Sequence, residues 1–300
     1  MSSAVVGLNA VIVSVGDTAP QVLVVSSGEG WALPSGQLAA DDRTLDLALR
    51  RYVRDQTALE LGYVEQLYTF GDLGRVPDER QRLLSVAYLA LTRADEPSSN
   101  ARWLDCYELL PWEDHRAGRP AVLDELVDPA VNAWADEVGA GEGGEARRQR
   151  GDIVFAFHDA PWDGVRVLER YELLYEVGLL TEAPGPSSAT TIDSVPMRFD
   201  HRRMVATALG RLRGKLTYRP VVFELLPDTF TLLQLQRLVE ALAGVALHKQ
   251  NFRRLVERAR LVEGTGDTLQ TGGRPAELFR FRREVLTERP RPGVGVPWSL

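Results

Sequence analysis

The chain has 300 residues, of which 44% are hydrophobic and 26% are charged, a composition typical of a globular protein of about two domains. No stretch approaches the roughly 18 apolar residues that a membrane-spanning helix requires, and the first residues lack the basic segment that opens a signal peptide. The single cysteine, Cys106, excludes an internal disulfide and has no partner spacing for zinc. We therefore expect a cytoplasmic protein without a membrane partner or a metal site.

The net charge of −7 is unevenly distributed along the chain. Residues 201–300 contain 18 Lys and Arg against 9 Asp and Glu, a balance of +9, whereas residues 1–200 contain 17 against 33, a balance of −16. An acidic portion joined to a basic one indicates a polyanionic partner for the basic portion. An ordinary arginine-rich surface gives the same balance, so charge alone does not decide.

Two stretches have the composition of exposed connections. Residues 137–151 are rich in glycine and charge, without an apolar period, and predict a flexible insertion. Residues 183–199 begin with a segment rich in Pro, Ser, Thr and Ala, and they coincide with the change in charge. The sequence therefore predicts a first domain over 1–182, a linker over 183–199 and a second domain over 200–300.

The first domain mixes strand and helix patterns. An apolar stripe with helical spacing predicts a helix over 45–57, and a second helix is predicted over 165–177. Runs of alternating or continuous apolar residues predict four strands, over 10–15, 21–25, 64–70 and 83–92.

The second domain has the element order of a winged helix-turn-helix. Asp200 is a suitable N-cap for a first helix, and residues 221–226 predict a short strand. Thr231 and Gln234 have the spacing of a capping box that opens a second helix, which Gly244 ends. A third helix is predicted over 249–261, and a hairpin with strands over 261–264 and 277–282 follows.

The third helix has a polar face that points to DNA. Phe252, Leu255, Val256 and Ala259 share its apolar face, so the polar residues of its first turns are left exposed. In the major groove, Gln and Asn pair with adenine and Arg pairs with guanine. We expect side chains of the third helix, the hairpin loop and the end of the first helix to bind double-stranded DNA: Lys215, Arg219, Lys249, Gln250, Asn251, Arg253, Arg254 and Arg274.

A palindromic operator needs two copies of such a domain, so we expect a homodimer. Two alternatives remain at this point. The polar face could simply be solvated, or the winged domain could be an adaptor that binds another protein.

Residues 31–62 resemble a Nudix box, which has the pattern G-x5-E-x7-R-E-U-x-E-E-x-G-U with U apolar. Arg51 matches the arginine, and Gly36 matches the first glycine if one residue is inserted. Where the pattern has its last three glutamates, this chain has Tyr52, Asp55 and Gln56, and the pair Asp41–Asp42 falls near the first one. In that family the glutamates bind a divalent metal that activates water. We therefore expect no catalytic residue, no metal and no hydrolysis.

The same domain could still bind a nucleotide. Its loops supply arginines for a diphosphate and aromatic rings for a base, as in ADP-ribose. The expected ligand-binding residues are Trp31, Gly36, Arg51, Phe70, Arg75 and Arg80. The alternative is a domain that serves only for dimerisation.

Together, the two halves resemble the Nudix-related transcriptional regulators of the NrtR family. The C-terminal resemblance lies in FDHRRMVATALGRLRGKLTYRPVVFELLP, LHKQNFRRLV and GGRPAELFRF. It implies an α+β chain with a Nudix-like α/β/α sandwich domain followed by a winged helix-turn-helix. It also implies a bacterial homodimeric repressor of genes for NAD synthesis or recycling, or for sugar use. Many members respond to ADP-ribose or a related nucleotide, and no cofactor is required.

The alternative from another class is an active Nudix hydrolase of ADP-ribose or NADH with an accessory nucleic-acid-binding domain. Release of AMP that depends on Mg²⁺ would favour it.

Overall fold

A seven-stranded mixed sheet is the scaffold of the N-terminal part. The computed structural model describes residues 4–16, 19–28, 30–72, 82–93, 96–139, 141–183, 190–270, 275–290 and 292–295. The strands of the sheet are β1 (Ala4–Val15), β2 (Pro20–Ser27), β3 (Gly30–Ala32), β4 (Ser35–Gln37), β5 (Tyr63–Phe70), β6 (Arg82–Leu91) and β7 (Ala101–Asp105). The four predicted strands are confirmed, and β3, β4 and β7 are additional.

The long strand β1 is the centre of this sheet. It pairs in parallel with β6 and antiparallel with β2 and β4, while β5 pairs with β6 at one end of the order β3-β2-β1-β6-β5. Ala10 and Ile12 pack in one core cluster, whereas Val11 and Val13 pack in the other. Because successive side chains of a strand point to opposite faces, both faces of the sheet are buried.

Helices cover each face. The predicted helix α1 (Leu45–Thr57) is confirmed and packs Ala48, Leu49 and Val53 on one face. A layer of helices packs on the other face: α2 (Cys106–Leu109), a 3₁₀ turn (Pro111–Glu113), a π turn (Leu123–Val127), α3 (Asp128–Asp136), α4 (Glu142–Phe155), α5 (Val167–Glu176) and α6 (His201–Leu216).

The flexible insertion predicted over 137–151 is wrong, because most of it belongs to α4. Two of its glycines, Gly144 and Gly151, serve close packing. A Cβ at Gly151 would lie 2.6 Å from Val131 Cγ1, and one at Gly144 would lie 2.6 Å from the Gly139 carbonyl oxygen. Glycine here lets two helices approach each other, a use that composition alone does not distinguish from flexibility.

The predicted linker is packed where the structure describes it, over 190–199. Ile192 is buried, the Val195 N–H donates to the Glu108 carbonyl at 3.0 Å, and the Arg198 N–H donates to the Trp31 carbonyl at 2.8 Å. Residues 184–189 lie outside the described residues. This connection therefore holds α6 against the sheet domain, which comprises β1–β7 and α1–α5.

The C-terminal domain follows α6 and has the predicted helix-turn-helix and hairpin. Its elements are a 3₁₀ helix (Val221–Glu224), α7 (Leu232–Ala243), α8 (Lys249–Ala259), β8 (Val262–Leu269), β9 (Ala276–Phe281) and α9 (Val285–Glu288). The short strand predicted over 221–226 is wrong. Val221, Val222, Leu225 and Leu226 are all buried, and this spacing is helical rather than alternating.

α6 is the element shared by both parts. It begins as predicted, although the Asp200 side chain makes no capping bond to it. Its buried face joins residues of β1 and of α7 in one continuous core cluster, in which Val11, Leu209 and Leu235 all take part. No described helix is long and apolar enough to span a bilayer.

Ala58 ends α1 in the left-handed conformation, with φ of 62°. This conformation costs an L-residue roughly 1–2 kcal/mol, and glycine is the usual residue there. We expect Ala58→Gly to raise the unfolding free energy by roughly 0.5–1 kcal/mol in urea denaturation, because the freedom of glycine in the unfolded chain offsets part of the gain. Ala48→Gly, in the helix interior, is the control and should lower it. A less stable Ala58→Gly variant would contradict this conformation.

Candidate nucleic-acid interface

The turn between α7 and α8 is built from local signals. Thr231 Oγ1 accepts from the Gln234 N–H at 3.2 Å, and Gln234 Oε1 accepts from the Thr231 N–H at 2.7 Å. This capping box confirms the predicted start of α7. Gly244 ends the helix with φ of 71°, a conformation that glycine adopts without strain and that redirects the chain toward α8.

α8 is oriented by its apolar face. Phe252 and Val256 are buried, and Leu255 and Ala259 are partly buried. The opposite side of its first two turns is exposed to solvent. We call this set the recognition face, and it consists of Lys249, Gln250, Asn251, Arg253 and Arg254. Within the described part of the chain these side chains have no ion pair or hydrogen bond, so their donors and acceptors are free for a ligand.

The hairpin β8–β9 is fastened to the start of α7. The Phe230 N–H donates to the Phe279 carbonyl at 2.9 Å, and the Phe279 N–H donates to the Phe230 carbonyl at 2.8 Å. The hairpin is therefore fixed relative to the helix-turn-helix, as a wing requires. Arg274, predicted to contact DNA from the hairpin loop, lies outside the described residues.

Lys215 does not join the recognition face. Its side chain is buried, with Nζ 2.7 Å from Glu65 Oε2 and 3.2 Å from the Tyr63 hydroxyl. The prediction that Lys215 holds the DNA backbone is contradicted, because its charge already neutralises a carboxylate of β5. Arg219 is exposed, but it lines a cleft beside β5 to which no residue of α8 contributes.

Other basic residues of α6 also pair with the sheet domain. Arg202 Nε lies 2.8 Å from Glu182 Oε1, and Arg203 Nη1 lies 2.8 Å from Asp72 Oδ2. The charge imbalance seen in the sequence is therefore partly neutralised inside the protein. Basic side chains that stay exposed and unpaired among the described residues include Lys249, Arg253 and Arg254 of α8.

A buried ion cluster joins α6 to the sheet domain. Glu113, Arg170 and Arg213 are each 0% exposed. Arg170 Nε donates to Glu113 Oε1 at 2.5 Å, and Arg213 Nη1 donates to Oε2 of the same carboxylate. Burial alone would raise the pKa of Glu113, but the two guanidinium groups hold it below its usual value.

Arg213 of this cluster, together with Tyr107 and His115, caps the end of α7. Arg213 Nε donates to the Leu242 carbonyl at 3.0 Å, and the Tyr107 hydroxyl donates to the Ala241 carbonyl at 2.5 Å. The His115 N–H donates to the Gly244 carbonyl at 2.7 Å. The last carbonyls of a helix need such external donors. The turn that precedes the recognition face is thereby attached to the sheet domain.

No functional role for this cluster was predicted, although the sequence contains a signal. Arg213 stands four residues after Leu209 and three before Leu216, on the apolar stripe of α6. Arg170 stands three residues after Val167 and four before Leu174, on the apolar stripe of α5. An arginine on an apolar stripe predicts a buried ion pair, but the spacing does not identify its partner.

The Nudix-like segment is closed by neutral side chains. Gln56 Nε2 donates to the Ser35 carbonyl at 2.6 Å, the Ser35 N–H donates to Gln56 Oε1 at 3.1 Å, and the Tyr52 hydroxyl donates to the Gln37 carbonyl. The Tyr52 ring lies against Gly36, where any Cβ would overlap it. Tyr52 and Gln56 thus fasten α1 to β4. We call this pair the α1–β4 clasp.

The carboxylates of this face do not fit a Mg²⁺ site. Asp42 accepts from the Ala39 N–H at 2.9 Å and from Arg51 at 2.8 Å, and these bonds lower the pKa of Asp42. Asp55 is exposed. In the described ranges, no three His, Cys, Asp or Glu side chains are grouped as a metal site requires.

The predicted ligand-binding residues are not brought together. Arg51 is paired with Asp42, and the Arg102 guanidinium lies 4.0 Å from the centroid of the partly buried Trp31 ring. Phe70 is buried in the core cluster on the sheet face opposite α1, so the expectation that it stacks on a base is contradicted. Gly36 lies under Tyr52. Two further predicted residues, Arg75 and Arg80, lie outside the described residues.

Gly244 offers a test of the attachment of the α7–α8 turn. A Cβ there would lie 2.5 Å from the Glu113 carbonyl oxygen and would overlap the Arg213 guanidinium. We expect Gly244→Ala to lower the unfolding free energy by roughly 2–4 kcal/mol, because steric overlap adds to the cost of the left-handed conformation.

Gly178 is the matched control, since it has φ of 77° and no neighbour within 4 Å of an added Cβ. Gly178→Ala should cost only about 1–2 kcal/mol. Equal losses in the two variants, measured by urea denaturation, would show that the turn is not packed against the buried ion cluster.

Sequence comparison identifies the C-terminal domain. Residues 222–281 match the family model described as the NrtR DNA-binding winged helix domain. The chain is also similar to the "ADPR responsive transcriptional repressor NtrR" of Acinetobacter baylyi, with 38% identity over 85 residues. The match covers 28% of this chain and 34% of that protein, so it spans about a third of the length of the curated relative.

Solved structures extend the likeness in fold to nearly the whole chain. NrtR of Shewanella oneidensis, complexed with a 27mer DNA, has a TM-score of 0.59 and 22% identity, over 94% of this chain and 95% of that one. A MutT/nudix family protein from Enterococcus faecalis has a TM-score of 0.54 and 13% identity, over 94% and 88%. The chain therefore has an α+β fold, a Nudix-like domain followed by a winged helix domain, and its predicted resemblance to the NrtR family is confirmed.

Proposed function

We propose that this protein is a transcriptional repressor that binds double-stranded DNA in a sequence-specific way through α8 and its wing. One observation carries the proposal. The recognition face is exposed and unpaired, while Phe252 and Val256 fix the orientation of the helix that bears it. The name of the Acinetobacter relative supports repression, and the resemblance to the NrtR family supports genes of NAD synthesis or recycling as targets.

The recognition face has the donors and acceptors that distinguish base pairs. Gln250 and Asn251 each present an amide that can pair with adenine, and Arg253 and Arg254 can pair with guanine or with phosphate. Each good bidentate pair discriminates between bases by roughly 1–3 kcal/mol. We assign the base contacts to these four residues and a phosphate contact to Lys249.

A homodimer completes the proposed reader. Two copies would place two α8 helices in successive major grooves of a palindromic operator, about 34 Å apart. A target on bacterial DNA implies a cytoplasmic protein.

A nucleotide bound to the sheet domain is the proposed effector, and ADP-ribose is the candidate that the name of the relative supports. The loop after β3 is connected to α6, because the Leu33 N–H donates to His201 Nδ1 at 2.9 Å. A ligand that displaced this loop would act on α6 and, through Arg213, on the turn before α8. A coupling free energy of roughly 1–3 kcal/mol is sufficient for regulation.

Hydrolysis is not part of the proposed function. The α1–β4 clasp replaces two carboxylates by a phenol and an amide, and Asp42 is already paired with Arg51. These donors do not supply the hard oxygen ligands that Mg²⁺ prefers.

The DNA contact can be tested with matched charge removals. On an operator selected from random duplexes, Arg254→Ala should weaken binding about 5- to 150-fold if it contacts a base. If it contacts phosphate, it should reduce the slope of log K against log salt concentration by about one. Fluorescence anisotropy between about 50 and 200 mM salt measures both.

Two controls accompany that measurement. Arg54→Ala removes an exposed arginine from α1, on the other face of the sheet, and should change neither quantity. Lys215→Ala should lower the unfolding free energy and leave the salt slope unchanged, because Lys215 is paired with Glu65. An Arg254→Ala variant with unchanged affinity and slope would contradict the proposed interface.

The absence of hydrolysis is tested by incubating the protein with ADP-ribose or NADH and Mg²⁺. We expect AMP release to stay at the level of the buffer, because the donor set does not fit the metal. Asp42→Asn distinguishes a contaminating hydrolase from the protein itself. Release that depends on Mg²⁺ and disappears in Asp42→Asn would establish the hydrolase alternative.

A further inference from the structure

A cleft of about 740 Å³ lies between the sheet domain and the C-terminal domain. One wall is β5, with Tyr63 and Glu65. The other is formed by the 3₁₀ helix, by the end of β9 and by Leu286 of α9. Ligand sites are commonly concave, of this size and located between domains. The cleft is separate from the Nudix-like loop, because no residue of 31–56 lines it.

The cleft has cationic groups to spare. Its lining contains five basic side chains and three acidic ones, which are Arg93, Lys215, Arg219, Arg280 and Arg283 against Glu65, Glu224 and Asp228. Lys215 pairs with Glu65 at 2.7 Å, and Arg93 pairs with Asp228 at 2.8 Å. A third, Arg280, pairs with Glu263 outside the lining.

Arg219 and Arg283 are left exposed, without an ion pair or side-chain hydrogen bond among the described residues. Among the three carboxylates that line the cleft, Glu224 alone has no ion pair with a described residue. Two guanidinium groups against one carboxylate leave a net positive charge. A guanidinium presents a planar set of donors that matches carboxylate and phosphate oxygens.

Aromatic rings lie beside these arginines. The Phe223 and Phe281 rings are stacked, with centroids 4.3 Å apart and planes at 22°, and both are partly exposed. Tyr63 stands on the opposite wall and is also partly exposed. Partly exposed rings offer a planar ligand an apolar surface and favourable stacking.

We propose that this cleft binds a small aromatic anion, that is, a ring that carries a phosphate or a carboxylate. The ring packs against Phe223 and Phe281, and its oxyanion accepts hydrogen bonds from Arg219 and Arg283. Such a ligand contacts both domains at once. Any effect on DNA binding rests on the function proposed above, whereas binding itself does not.

Isothermal titration of the full chain in the absence of DNA tests the proposal, so its failure is distinguishable from failure of the DNA interface. AMP supplies both ring and phosphate, adenosine only the ring, and orthophosphate only the charge. Benzoate distinguishes a carboxylate ligand from a phosphate ligand. We expect saturable binding of AMP or benzoate that is at least about tenfold tighter than binding of adenosine and orthophosphate, since a charge-assisted bond and a stacked ring each contribute.

Three single substitutions locate the site. Arg219→Ala and Arg283→Ala should each weaken that binding about tenfold. Arg258→Ala is the control, because Arg258 is an exposed arginine of α8 that does not line the cleft, and it should leave binding unchanged. Phe223→Leu should remove the advantage of AMP or benzoate over orthophosphate, and circular dichroism checks that this variant is folded.

Three results would overturn the proposal. The first is no saturable binding of AMP or benzoate up to about 10 mM, a concentration well above those at which metabolites usually bind. The second is equal affinity in the parent and in the Arg219→Ala and Arg283→Ala variants. The third is orthophosphate that binds as tightly as AMP and benzoate, which would exclude the aromatic contact.

Discussion

The arrangement of the two domains depends on a buried pair of salt bridges. Arg170 and Arg213 both bind the carboxylate of Glu113, and all three side chains are inaccessible to solvent. One negative charge faces two positive ones, so the cluster retains a net positive charge in the interior. Backbone carbonyls solvate the excess, among them those of Gly164 and Leu242. Removing one partner of such a group typically costs about 3–5 kcal/mol, which is a large share of the stability of an ordinary domain.

This cluster explains why α6 belongs to both domains. The helix is held at its start by His201, which bonds to the Leu33 N–H, and near its end by Arg213 and Lys215. Its apolar residues enter the same core cluster as those of α7. A displacement of the sheet domain therefore has a direct mechanical route to the turn before α8. Four of the positive charges on α6 maintain this connection through ion pairs, those of Arg202, Arg203, Arg213 and Lys215.

Features encoded by neighbouring residues could be predicted from the sequence. The helix over 45–57, the capping box of Thr231 and Gln234, and the turn at Gly244 all depend on contacts within a few positions. The orientation of α8 followed from the same kind of spacing.

The residues whose predicted roles are wrong make their contacts with residues that are distant in the sequence. The sequence predicts a DNA contact for Lys215 because its charge is visible there, whereas its partner Glu65 is 150 positions away. The sequence predicts a ligand contact for Phe70 because it is aromatic, whereas the pleat of β5 directs it into the core. Residue type indicates what a side chain can bind, and only the fold determines which neighbour it meets.

The α1–β4 clasp contributes to the same connection between the sheet domain and α6. Glutamates gathered on one helix face repel one another unless a cation lies between them. Tyr52 and Gln56 carry no charge and bond directly to the backbone of β4. The loop after β3 is thereby held in place without metal, and through Leu33 and His201 it positions α6. The neutral side chains of Tyr52 and Gln56 thus provide a metal-independent connection between α1, the loop after β3 and α6, the helix that precedes the helix-turn-helix.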